Sequence, residues 1–263
     1  MKFIASTFVF IAILSLTMIS CKKEVSEAPD QIPDEIVAKI KNLGFSTQNI
    51  QKDENGYLVE GDILLTDEYL DQQPSSPRLI IAQEEQYRTF NLVTGLPRTI
   101  TVSHSGNISS TLNNAINSAI SRYNAENLQL NFVRVSSGGD INIRLINGGS
   151  YIASAGFPTS SGDPYHEVKY NRQYQNYSSG FVTTVIAHEL GHCIGFRHTD
   201  YMNRSFSCGT GGNEGQETTG VGAVHIPGTP TGPDPNSWML ACLSASTNRP
   251  FNSNDKTALN YLY

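Results

Sequence analysis

The sequence predicts an α+β fold, and three observations lead there. Short stretches of alternating or β-branched apolar residues crowd the first two-thirds of the chain, two long runs carry helical apolar spacing, and residues 199–240 are dense in Gly, Pro and Thr. A chain of 263 residues can bury one good-sized domain with a smaller appendage. Composition is ordinary for a globular protein, at 38% apolar and 16% charged residues. A net charge of −6 and a pI near 5.5 give no basic footprint, so nucleic acid is excluded as a partner.

Lys2, an apolar run over 3–19 and Ser20 before Cys21 are the parts of an export signal, assigned to residues 1–20. Met18-Ile19-Ser20-Cys21 resembles the lipobox of bacterial lipoproteins, with Met18 standing where Leu is usual. That resemblance implies lipidation at Cys21 and an outer-membrane or cell-surface lipoprotein, touching the membrane through its lipid alone. An uncleaved anchor, or an ordinary signal peptide with Cys21 incidental, is the competing reading. Residues 21–33, with Lys, Glu, Ser and two prolines, read as a tether.

A small α/β segment follows, assigned to 34–77. Ile36, Val37, Ile40 and Leu43 recur at helical spacing and Gly44 stops them. Asn55-Gly56 marks a turn, 57–65 reads as one strand, and the segment ends near Asp71 before a Pro/Ser linker at 72–77. The main domain, 78–263, opens with a strand at 99–102 and a helix at 109–125 whose Leu112, Ala115, Ile116, Ala119, Ile120 and Tyr123 share a face. Strands are expected at 128–135, 141–146, 151–157 and 166–170, then a long apolar helix at 178–196. Asn252 or Ser253 caps a last helix over 255–263.

The chemistry lies at 188–198. His188 and His192 are four apart and therefore one turn apart on the same helix face, where two imidazoles can share one metal ion. Glu189, one step round, can reach a metal-bound water as general base. Gly195 can end the helix at positive φ, and the returning chain brings His198 to a third ligand position. Three protein ligands leave one position open, which marks a catalytic rather than a structural Zn²⁺ site holding a single ion. Half of the chain's six histidines fall in these eleven residues, far from a chance scatter.

His188-Glu189-x-x-His192-x-x-Gly195-x-x-His198 is the signature of metzincin peptidases, and the string through Asp200 resembles the dual-action HEIGH metallopeptidases, with Leu190 in place of Ile. So do Val59-Glu60-Gly61-Asp62-Ile63 and the ending at 255–263. The resemblance implies a metzincin-like domain: a twisted mixed sheet, an active-site helix, a loop-rich C-terminal part and a methionine turn, here Ser237-Trp238-Met239-Leu240. Met239 would floor the zinc site without ligating it. Some metzincins place a tyrosine ligand two residues beyond this methionine. Ala241 stands here, so help at the transition state is sought from Tyr201, Tyr177 or a backbone amide.

Asp200 is a candidate to orient a ligand by hydrogen bonding, or equally to cap a turn. His104, His166 and His225 lack partners at ligand spacing and read as structural or surface residues, although His166-Glu167 could serve a second cation. Calcium loops and the paired carboxylates of glycosidases are not found. Export favours a disulfide; three pairings are open, and Cys208 with Cys242, both in the loop-rich stretch, is preferred, leaving Cys193 as a small apolar helix residue. The function expected is a monomeric zinc endopeptidase acting on protein or peptide, its substrate added along an exposed edge strand near 151–157. The 34–77 segment is either a permanent subdomain or a pro-region blocking the cleft through Asp62 or Asp67. The alternative function is a non-catalytic zinc-containing surface lipoprotein that binds host or matrix protein.

Overall fold

The computed structural model describes residues 32–71, 86–210, 223–230 and 232–263. The export signal, Cys21, most of the tether and the 72–77 linker lie outside the described residues. Residues 32–263 form one compact unit. Among the described residues no helix is long and apolar enough to cross a membrane.

The N-terminal segment begins with α1 (Asp34–Asn42), which buries Ile40 and ends at Gly44. The expected single strand over 57–65 is instead two antiparallel strands. After β1 (Gln51–Asp53), β2 (Gly56–Val59) runs to a turn at Glu60-Gly61-Asp62 and returns as β3 (Ile63–Leu65), with Val59 opposite Ile63. The polar trio interrupts the apolar alternation, and positive φ at Glu60 and Gly61 reverses the chain. One turn of helix, α2 (Asp67–Leu70), follows with Thr66 as its cap. Ile40, Phe45, Val59, Ile63, Leu65 and Tyr69 form a satellite core that Phe157, in the chain just after Ala155, joins from the body.

Beyond β4 (Tyr87–Arg88), the parallel unit β5 (Arg98–Ser105), α3 (Ser110–Asn124), β6 (Leu130–Arg134) forms, with Ser109 accepting from the Leu112 amide as N-cap. β7 (Ile141–Ile146) pairs parallel to the other side of β5, and β9 (Glu167–Asn171) parallel to β7. β8 (Ala153–Ala155) runs antiparallel to β9. The sheet order is β1-β2-β3-β8-β9-β7-β5-β6. Alternate strand residues such as Ile100, Val102, Phe132, Ile141 and Ile143 are buried with Leu112, Ile116 and Tyr123 of α3.

The same core takes Val182, Ile186 and Leu190 of α4 (Ser179–Cys193), which is buried on nearly every side, as its apolar sequence requires. β10 (Phe196–Arg197) and β11 (Val224–His225) flank β4 in a small second sheet, and α5 (Ser205–Cys208) is one turn inside the expected loop region. Cys208 and Cys242 are bonded, and Cys193 is a buried free thiol. α6 (Ser253–Leu262) closes the chain with a capping box between Asn252 and Asp255.

β8 is not an open edge. β3 lies on it in parallel, Ile63 opposite Ala155, and the Ala155 amide donates to the Asp62 carbonyl at 3.0 Å. The chain's own N-terminal segment occupies the place expected for an extended substrate.

Candidate metal centre and active site

His188 and His192 project from the last turns of α4. Gly195, at φ 106°, ends the helix, and its carbonyl accepts from the Thr89 amide at 2.8 Å. A side chain at Gly195 would also collide with the Asn91 carbonyl at 2.9 Å. Pairing of Phe196 and Arg197 with β4 then sets the direction of the chain so that His198 faces the helix. All three rings are almost wholly buried.

Their protonation follows from what they touch. His188 Nδ1 lies 2.8 Å from the Trp238 carbonyl and His192 Nδ1 2.8 Å from the Phe196 carbonyl. A carbonyl only accepts, so each Nδ1 carries a hydrogen and Nε2 is the ring atom left to meet a metal ion. Burial, reinforced by the neighbouring His188 and His198, keeps the His192 pKa well below the usual histidine range. The two Nε2 atoms are nevertheless only 3.0 Å apart. Two lone pairs at that distance repel unless a cation lies between them.

Asp62, from the β2–β3 turn, supplies a fourth donor. Its Oδ2 is 3.2 Å from His198 Nε2 and 3.5 Å from His188 Nε2, and the four donor atoms lie within 4.8 Å of one another. Four ligands at the usual ~2.0–2.1 Å from a tetrahedral Zn²⁺ stand roughly 3.3 Å apart, close to the spacings found here. Asp62 Oδ1 is buried without a hydrogen-bond partner, as befits a carboxylate whose charge is met by an ion. Burial alone would raise the Asp62 pKa, but the His198 and His188 imidazoles outweigh it and hold it below the usual carboxylate range. The donor set fits Zn²⁺.

Glu189, His188 and Asp62 together line a cavity of about 220 Å³ that Tyr151, Val185, Arg204 and Leu243 also border. Glu189 Oε2 is buried with no hydrogen-bond partner among the described residues. Burial, then the charge of Asp62, raises its pKa well above the usual range. Neither Tyr177, half exposed against Tyr174 and Phe181, nor Tyr201, packed on Tyr87, borders this cavity.

Met239 is fully buried and lies against Gly191 of α4. A Cβ at Gly191 would come within 2.6 Å of its Sδ, so the close seating of helix on turn depends on glycine there. The Met239 carbonyl accepts from the Thr199 amide at 3.0 Å, joining the turn to the loop after His198. Asp200 does not reach a ligand ring: its Oδ1 accepts from the Ala241 amide at 3.0 Å and its Oδ2 from the Ser207 hydroxyl at 2.6 Å. The orienting groups of His188 and His192 are backbone carbonyls instead. His104 lies against Arg134, His166 against Tyr165 and His225 against Thr229, while Glu167 is paired with Arg144. Asp62 with the three ligand histidines is the one metal-ready cluster among the described residues.

Curated proteins offer no match to the chain. Among solved structures it is similar to two of myroilysin, each at 14% identity. One gives a TM-score of 0.42 over 65% of this chain and 82% of that one, and the other 0.40 over 64% and 83%. The family model described as dual-action HEIGH metallo-peptidase matches residues 58–263, taking in the Asp62 turn, the histidine helix, the methionine turn and α6. The chain belongs to the dual-action HEIGH metallopeptidase family.

Proposed function

We propose that this zinc metallopeptidase is an endopeptidase of the metzincin type, with Glu189 as its general base and Asp62 holding it closed. One observation carries the reading: the Nε2 atoms of buried imidazoles converge beside a cavity that His188 shares with a buried glutamate whose Oε2 has no hydrogen-bond partner among the described residues. His188, His192 and His198 would hold one Zn²⁺, with Asp62 as the fourth donor of the closed form. When bound, the ion acidifies water and polarises the scissile carbonyl.

The rest falls to the chain. Glu189 takes the proton of the attacking water and passes it to the leaving amine. Val185, Ala241 and Leu243 wall the cavity with apolar surface and keep bulk water from the reacting groups. The Ala155 amide, which now binds the Asp62 carbonyl, would bind a substrate carbonyl in its place. Both uses require the 34–71 segment to leave the cleft, so we read it as a pro-region and place the chain cut beyond Asp71. The export signal and lipidation at Cys21 put this enzyme, as a monomer, on the cell surface or outer membrane.

The alternative, a zinc-containing binding protein without hydrolytic activity, is favoured by Asp62 itself, since a fourth protein ligand is what a closed structural site keeps. Glu189 weighs against it, because binding alone needs no base. Casein cleavage by full-length chain carrying Asp62→Ala, with and without a chelator, separates the two. Chelator-sensitive cleavage is expected. A folded, zinc-loaded Asp62→Ala protein that cleaves nothing would leave the binding reading standing.

A further inference from the structure

Arg197 immediately precedes the third ligand and is among the largest fully buried side chains of the chain. Its Nη2 donates to both carboxylate oxygens of Glu60 at 2.9 Å. Its guanidinium also lies 4.2 Å over the Phe45 ring, with Nη1 3.4 Å from the Gly44 carbonyl. Glu60, Phe45 and Gly44 all belong to the 34–71 segment, whereas Tyr201, 5.7 Å away, belongs to the body.

The charge distribution follows the same division. Residues 34–71 carry nine Asp/Glu and three Lys, and residues 72–263 carry twelve acidic and twelve basic side chains, so the segment alone accounts for the net charge of −6. Arg144 and Lys169 of the sheet pair with Glu54 and Asp53, and Arg204 donates to the Glu60 carbonyl. A buried ion pair is no better a fastener than a well-packed apolar pair, so holding the segment does not by itself explain an arginine here. A guanidinium one residue from a metal ligand, already gripping a glutamate two residues from Asp62, has a second use when the segment has gone.

We propose that Arg197 is the specificity-determining residue of the vacated cleft, taking a Glu or Asp side chain of the substrate close to the scissile bond in the place Glu60 now holds. This rests on the endopeptidase reading and adds its substrate class, acidic peptides. The planar fork of arginine suits a carboxylate and discriminates against the uncharged amide.

The test uses full-length chain carrying Glu60→Ala and Asp62→Ala, which removes the two carboxylates that the segment sets against Arg197 and the ligand histidines and so favours its release. A mixed peptide library is digested, and kcat/KM is measured for two peptides differing only in Glu against Gln beside the cut. Enrichment of Glu or Asp within two residues of the cut is expected, with at least a tenfold preference for the Glu peptide. Adding Arg197→Leu should bring that ratio near one; if this variant unfolds, Arg197→Lys should lower the same ratio. Binding of the labelled pair by fluorescence anisotropy, in the same chain with Glu189→Ala, reads the pocket without turnover. Hydrolysis without acidic preference, or a preference that the Arg197 variants leave unchanged, overturns the proposal alone. Glu-selective binding without hydrolysis supports the pocket and overturns the peptidase reading. Folded protein that neither binds nor cleaves overturns both.

Discussion

Asp62 Oδ2 stands 3.2 Å from Nε2 of His198, although 136 residues separate the two in the chain. The contact joins the turn of an N-terminal hairpin to the last histidine of the metal motif. If it closes the site, activity should be graded by what stands at 62. Asp62→Ala should raise the peptidase rate of full-length protein tenfold or more, because a charge-assisted contact is worth ~1.5–3 kcal/mol. Asp62→Asn, which keeps an oxygen donor without the charge, should fall between variant and parent. A fluorogenic peptide assay at fixed zinc reads all three, and equal rates would remove Asp62 from control of the site.

Glu189 separates chemistry from metal binding. Glu189→Gln should keep zinc at the parent's stoichiometry and lose about 10²–10⁴ in kcat, the usual contribution of a positioned base. The comparison is made in the Asp62→Ala background, where there is a rate to lose. Parent-like turnover would assign the base to another group.

The zinc motif was fully legible in the sequence because its chemistry is local: two imidazoles one turn apart, a glycine to end the helix and a third imidazole after the bend. The helix at 109–125 was legible from its apolar face at 3.6-residue spacing and the one expected at 178–196 from its apolar run, although α4 ends at Cys193 and Phe196 pairs in β10 instead. Strand pairing was not. Ala153–Ala155 carries the small residues of a closely approached strand, but its neighbour, β3, lies about ninety residues earlier, and a one-strand reading of 57–65 hid the turn between them. Glu60-Gly61-Asp62 held the signal, a polar break with two turn-forming residues, Gly61 and Asp62, inside an apolar run. Asp200 stands two residues beyond His198, a place from which it could orient a ligand. Its actual bonds run to Ala241 and Ser207, far along the chain, where no sequence period points.

The seating of α4 on the methionine turn should be sensitive to one methyl group. Gly191→Ala places a carbon 2.6 Å from Met239 Sδ and 3.1 Å from Trp238 Nε1. Met239 can shift, but Trp238 also carries the carbonyl that orients His188. We expect a loss of about 1–3 kcal/mol, as for overpacked cores, together with weaker zinc retention. Chemical denaturation and metal analysis check the two effects. A stable variant with full zinc affinity would show that the turn adapts freely.

Asp255 gives the fold a pH dependence remote from the ligands. Burial raises its pKa to about 7, against the opposing hydrogen bonds from the Asn252 amide, Ser237 and the Trp238 amide. An unfolded chain releases this proton near ~3.9, so between about pH 4 and pH 7 the native state binds more protons. The stability this group contributes is therefore greatest at the acid end of that window and is lost as pH rises through it. Asp255→Asn, which cannot titrate, should gain on the parent in melting temperature steadily from pH 4 to pH 7. A difference that stays flat over the window would mean that Asp255 is ionised throughout.

The central claim is that His188, His192 and His198 converge on one zinc ion. Crystals of full-length protein measured on either side of the zinc absorption edge test it directly. The account predicts a single anomalous peak about 2.0–2.2 Å from Nε2 of each of the three histidines and from an Asp62 carboxylate oxygen. Folded protein with no peak among these rings, or with zinc bound elsewhere, would contradict it.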